Sequence, residues 1–224
     1  MVDYLCIIQA RISSSRLPAK IMLDLAGKTL LERVYETVVK SDKIDQTIIA
    51  TSHDPSDDIV EKKLKDLHLE YFRGDLHNVL KRFYDAAHQY RTKHVVRITA
   101  DNPLMDSRII DELIYHYEDS GAEYSMFSNA IYGLSAEVFS YDALRKTHEN
   151  SQDGYDKEHV TPYMKKNCKT SIIDIKKKYR NPELSATIDT LSDYIKMQKF
   201  YLSCKTSNSE ATIDSFIKTV TDAN

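Results

Sequence analysis

A chain of 224 residues, 42% of them hydrophobic, can bury a sizeable core in one compact domain or in a domain with a lobe. A formal charge of −3 and a pI near 6.2, with lysines and arginines spread along the chain, exclude the strongly basic character of nucleic-acid and membrane-surface proteins. Cys6, Cys168 and Cys204 show no CxxC spacing, which argues against zinc and a disulfide framework. With no signal-like segment and no long apolar run, a cytoplasmic protein is expected.

Strand and helix signals alternate from the start. Residues 4–9 form a short apolar run, and residues 28–40 place Leu30, Leu31, Val34 and Val38 at helical spacing. A β-branched strand at 46–52 precedes a helix from about 55 to 67. A third strand at 69–74, closed by Gly74, leads into an amphipathic helix at 75–90 with Asp75 as its expected N-cap. A fourth strand, 94–99, precedes a helix at 107–118.

Four βα units with short connections predict a mainly parallel sheet covered by helices on both faces, a single Rossmann-like α/β domain. The second half is less regular. Strands are expected at 123–129, 136–141, 170–175 and 184–189, and helices near 141–149, 157–166, 192–203 and 212–221. The expected organisation is one domain, with a main part over about 1–120 plus 184–224 and a smaller β-rich lobe over about 121–183.

Ligands of open parallel sheets sit at the carboxyl ends of the strands. There the sequence reads QARISSSRLPAK, residues 9–20. Arg11, Arg16 and Lys20 offer charge-assisted donors, Ser13, Ser14 and Ser15 add hydroxyls, and Pro18 stiffens the turn. The chemistry suits a polyanion. The segment has no glycine and no Gly-Lys-Ser/Thr ending, so it is not a Walker A loop; a surface loop with incidental cations is the plain alternative.

ARISSSRLPAK resembles the ARxxSxRLPxK signature of cytidylyltransferases that activate acidic sugars, and more closely that of the spore coat polysaccharide biosynthesis protein F family. GDLHNVLKRFYDAA (74–87), VVRITADNPLMDSRIID (95–111), GLSAEVFSYDAL (133–144), KEHVTPYM (157–164) and ATIDTLSDY (186–194) are similar to that family's motifs in the same order, over most of the chain. The resemblance implies a Mg²⁺-dependent nucleotidyltransferase that moves CMP from CTP to a sugar, sugar acid or small phosphorylated polyol or acid, for surface polysaccharide. It implies metal ligation by Asp101 and Asp189 and catalytic roles for Arg11, Lys20 and Asp101. Nucleotide binding falls to Ala10, Arg11, Ser14, Arg16, Lys20, Gly74 and Asp75. Gly74 would let the backbone approach a pyrimidine closely.

On the acceptor side Ser128, Asn129, Glu137 and His159 stand out. Glu137, isolated in a predicted strand, either binds an acceptor hydroxyl or faces solvent; His159 either meets a substrate anion or is a capping or core histidine. Helix capping is the other reading of Asp101 and Asp189, although Asp106, Ser107, Thr190 and Ser192 lie closer to the helix starts.

The chain departs from the family where Ser13 and Ala19 replace glycines, which is tolerable if φ is negative there. Ala100 and Asn102 also differ. The loop before Gly133 is shortened, with Ser135 in place of an aspartate, pointing to a smaller acceptor or a different anion. The other expectations are a small anionic acceptor, no nucleic acid or membrane partner, and a homodimer formed through about 125–165. Use of another NTP, a silent nucleotide-binding subunit and a glycosyltransferase are the alternatives; the last normally carries a DxD motif, and the chain has Asp101-Asn102-Pro103.

Overall fold

The computed structural model describes residues 2–222. Among the described residues seven strands form one sheet: β1 (Val2–Gln9), β2 (Gln46–Ser52), β3 (Tyr71–Gly74), β4 (Thr92–Thr99), β5 (Tyr124–Ser128), β6 (Glu137–Ser140) and β7 (Thr170–Asp174), in the order β3-β2-β1-β4-β6-β5-β7. β1 to β4 run parallel, as do β5 and β7, while β6 lies antiparallel between β4 and β5. The strands expected of a second-half lobe, β5 to β7, thus continue the same sheet.

Helices cover both faces: α1 (Leu30–Val38), α2 (Asp58–Asp66), α3 (Val79–Tyr90), α4 (Ser107–Ser120), α5 (Tyr141–Asn150), α6 (Gly154–His159), α7 (Pro162–Asn167), α8 (Leu191–Thr206) and α9 (Ile213–Asp222). Strand side chains alternate between faces, so β1 feeds two cores. Tyr4, Cys6 and Ile8 pack with Leu30, Val34, Ile110 and Leu113 of α1 and α4. Leu5 and Ile7 pack with Leu80, Phe83 and Leu144 of α3 and α5. Burial on both faces explains why the central strands read as continuous apolar runs.

β1 lies between β2 and β4, with its Gln9 in register with Thr99. Chain order reverses here, so the connections leaving β1 and β4 diverge and open a crevice at their carboxyl ends.

Three expectations change. The helix over 75–90 begins only at Val79, because the Asp75 carboxylate accepts the His77 and Asn78 N–H groups in a turn and Asn78 is the N-cap. The helix over 157–166 is two short helices with a break at Val160. Residues 184–189 are extended but form no strand: Ala186 N–H donates to Tyr132 C=O (2.8 Å) and Ile188 N–H to Asp101 C=O (2.9 Å). Leu184, Ala186, Thr187 and Ile188 are buried; the hydrogen-bond partners are loops.

Candidate active site

The segment after β1 is a folded loop. Ile12 C=O accepts the N–H groups of Ser14 (2.8 Å) and Ala19 (3.0 Å). From the other side the buried Asp57 carboxylate accepts Ile12 N–H (2.7 Å), Ser52 N–H (3.0 Å) and the Ser52 hydroxyl, tying the loop to the end of β2. Ala19 has φ +59 and precedes a 3₁₀ turn, Lys20–Met22. The glycine of the related motif would take this left-handed conformation without strain, while position 13 is not among the positive-φ residues.

That turn aims Lys20 inward. Its Nζ donates to Asp101 Oδ2 (2.7 Å), Asp189 Oδ1 (2.8 Å) and Ile188 C=O (3.0 Å). Arg16 pairs with the other oxygen of Asp189 (2.9 Å). Asp101 follows β4, and the bond from Ile188 N–H to the Asp101 carbonyl brings the distant Asp189 alongside. Neither aspartate caps a helix: Asp106 caps α4, and Thr190 caps α8 in a box with Asp193.

A cavity of about 300 Å³ opens on this cluster, with Arg11, Ser14, Arg16, Lys20, Asp101, Asp189 and His159 in its wall. Ala10 is buried behind it, its N–H bonded to Ala50 C=O (3.1 Å). Arg11 is held only loosely, 3.4 Å from Leu76 C=O and 3.5 Å from Glu158. It also lines a second cavity of about 710 Å³, shared with Ser13, Asp75, His77 and Asn78. Gly74 lines neither. A Cβ there would lie 2.8 Å from Arg82 Cγ and 3.1 Å from the Phe72 ring, so the close approach it permits is to the buried Arg82 side chain. Burial pushes the Arg82 guanidinium down to about 10.

A third cavity, about 300 Å³, lies beyond the acids and is lined by Arg97, Tyr132, Ser135, Glu137 and Lys165. The solvent-facing alternative for Glu137 does not hold. It is buried, with Oε1 bound to Tyr124 OH (2.6 Å), Thr161 Oγ1 (2.8 Å) and Lys165 (3.1 Å), and Oε2 to Arg97. Burial alone would raise its pKa; the Arg97 and Lys165 charges and the two hydroxyl donors outweigh that and hold it at about 2. The shortened loop passes Gly133 at φ +104, where a Cβ would lie 2.7 Å from Thr187 Oγ1.

Ser128 and Asn129 join none of these cavities; both donate to Asp174 of β7 (2.7 Å each). His159 reaches the first cavity from the break between α6 and α7. Thr161 N–H donates to His159 C=O (2.8 Å) across Val160 at φ +70, ψ −51, a strained γ-turn with a buried β-branched residue at its centre. Gln9, Asp57, Arg97, Thr99, Glu158 and Lys165 belong to the site or its support and were not expected from sequence.

Mg²⁺, implied by the family motifs, fits the donor set. Among the described residues no group of three or more His, Cys, Asp or Glu could hold a metal. Two carboxylates already bridged by one cation, the Lys20 ammonium, suit an ion that takes one or two carboxylates and completes its octahedron with phosphates and water.

Two cations and two acids thus meet at the switch point of a mainly parallel sheet with the Rossmann-like nucleotidyltransferase fold. Residues 5–218 match the family model described as cytidylyltransferase. The chain is 37% identical over 201 residues to an uncharacterised protein of Methanocaldococcus jannaschii, covering 87% of this chain and 83% of that one. It is 32% identical over 210 residues to the spore coat polysaccharide biosynthesis protein SpsF of Bacillus subtilis, covering 90% and 87%. A solved cytidylyltransferase from Leptospira borgpetersenii superposes with a TM-score of 0.83 at 27% identity, over 91% of this chain and 88% of that one. The chain belongs to the cytidylyltransferase family. No helix among the described residues is long and apolar enough to cross a membrane.

Proposed function

We propose that this protein transfers CMP from CTP to a hydroxyl of a small anionic sugar, sugar acid or phosphorylated polyol, releasing pyrophosphate, in the assembly of a polysaccharide. The observation that carries the reading is the convergence of Lys20, Arg16, Asp101 and Asp189 on one cavity at the sheet's switch point. The acceptor oxygen attacks the α-phosphorus, the bond to the β-phosphate oxygen breaks, and the hydroxyl proton goes to solvent.

Arg11, Ser14, Arg16 and Lys20 would bind the triphosphate and neutralise charge on the departing pyrophosphate, an effect worth about 10- to 100-fold per contact if confined to the transition state. The base would lie toward Asp75 and Asn78, and the acceptor beyond the acids, beside Arg97, Ser135 and Lys165. Asp101 and Asp189 would hold Mg²⁺, which when bound supplies Lewis-acid polarisation of the α-phosphate.

The test is pyrophosphate release with CTP, Mg²⁺ and a panel of anionic acceptors. Turnover with CTP above the other three NTPs is expected, and Asp101→Asn should abolish it with little change in Tm. No turnover on any acceptor, together with no CTP binding by calorimetry, overturns the reading.

A further inference from the structure

We propose that Lys20 is the resident counter-ion of the two metal-binding acids, and that it exchanges partners, from carboxylates to phosphate, when a divalent cation and nucleotide enter. The inference rests on the reading above of Asp101 and Asp189 as metal ligands, and it adds a role that their ligation alone does not require.

An ammonium group has three hydrogens and no acceptor. All three are used: on Asp101 Oδ2, on Asp189 Oδ1 and on the Ile188 carbonyl, at 2.7, 2.8 and 3.0 Å. No donor remains for a phosphate oxygen, so Lys20 cannot take up a triphosphate without releasing one of these partners. The lysine side chain is only 9% exposed, against 23% for Asp101 and 13% for Asp189. The contacts are therefore poorly screened, and the ammonium is a committed neighbour of the acids.

The carboxylates that would hold a divalent ion are the ones that now meet Nζ. An ion held by both would compete with the ammonium for them.

Charge favours a paired exchange. Lys20 and Arg16 balance Asp101 and Asp189, two positive against two negative charges in one cluster. A divalent cation arriving alone must displace the lysine and leave its charge unpaired. A triphosphate arriving alone brings negative charge beside acids still pinned to their lysine. When both enter, the acids pass to the metal and the freed cations pass to the phosphates. Metal and nucleotide then bind with positive coupling, which by linkage is the same in either order. The flexible four-carbon stem of lysine permits the swing, and Lys20 lines the same cavity as both acids.

The experiment is calorimetric titration of nucleotide-free protein with Mn²⁺. Lys20→Met should bind Mn²⁺ at least tenfold more tightly than wild type. Arg16→Ala, which removes an exposed partner of Asp189, should tighten it two- to fivefold. Equal or weaker Mn²⁺ affinity in Lys20→Met overturns the proposal.

A wild-type measurement needs no variant to fold. Lys20, protected from an amine-acylating reagent in metal-free protein as read by peptide mass spectrometry, should label several-fold faster with saturating Mn²⁺. Unchanged protection there overturns the exchange. Wild-type turnover of CTP alongside either overturning result removes the exchange alone, whereas absence of CTP binding removes the proposed function whatever the lysine does.

Discussion

Asp57 has a fully engaged carboxylate, although it lines none of the three cavities. It is fully buried and accepts two backbone N–H groups and one hydroxyl, joining Ile12 of the cationic loop to Ser52 at the end of β2. Asp57→Ala strands both N–H donors in the interior. The expected cost is roughly 3 kcal/mol in urea unfolding, with a CTP KM raised more than kcat is lowered, because the loop that would gather the phosphates under the proposed function loses its anchor. Unaltered stability and unaltered KM would show that the loop holds its shape without this residue. In sequence Asp57 is one of three aspartates in HDPSDD, and no local pattern marks which of them is buried. Asp101 and Asp189 were legible because each ends a buried run beside a family motif. Ser128 and Asn129 occupy an equally suggestive strand end, but Ser128 is in register with Asp174, and that carboxylate takes both side chains.

Between α6 and α7 the local signal was present but ambiguous. Residues 157–166 have helical composition, yet Pro162 has no N–H and cannot lie inside a helix that includes Glu158. It becomes the first residue of α7, where its missing donor costs nothing. The break falls on Val160 at φ +70, which directs His159 to the first cavity and Thr161 to Glu137. Such a conformation costs a β-branched residue about 1–3 kcal/mol. The usual order of substitutions should therefore invert. Val160→Gly, which relieves the strain, should be more stable than Val160→Ala, which removes nearly the same buried side chain and keeps the strained Cβ. Chemical denaturation of the pair decides it, and a more stable alanine variant would mean that the turn is not strained. The segment 184–189 shows the complementary limit: its buried residues read as a strand, but composition says nothing of what the chain pairs with, and here Tyr132 and Asp101 take the bonds of a neighbouring strand.

Across the whole molecule, the parallel β1–β4 half was readable because βα units dictate their own topology, whereas the joining of β5–β7 to that sheet depends on pairings between residues far apart in sequence. The antiparallel β6 is the seam. It brings Glu137 into register with Arg97 of β4, and Lys165 of α7 completes a charge cluster that couples the sheet's two halves to the third cavity. The cluster has a pH signature. Glu137 is held at about 2, below its ordinary 4.5, so between those values the unfolded chain binds more protons than the folded one. Its stabilisation is fully present above about pH 4.5 and is lost as pH falls toward 2. Other carboxylates titrate nearby, Glu61 among them, so the informative quantity is the difference between wild type and Glu137→Gln. At pH 7 the variant leaves Arg97 and Lys165 without their shared anion and should be less stable by about 3–5 kcal/mol. Urea unfolding at a series of pH values should show that gap shrinking steadily from pH 4.5 downward as the wild-type carboxyl takes up its proton. A gap that stays constant across the acid range would mean that Glu137 binds its proton equally in both states, and that the seam is held by packing without charge.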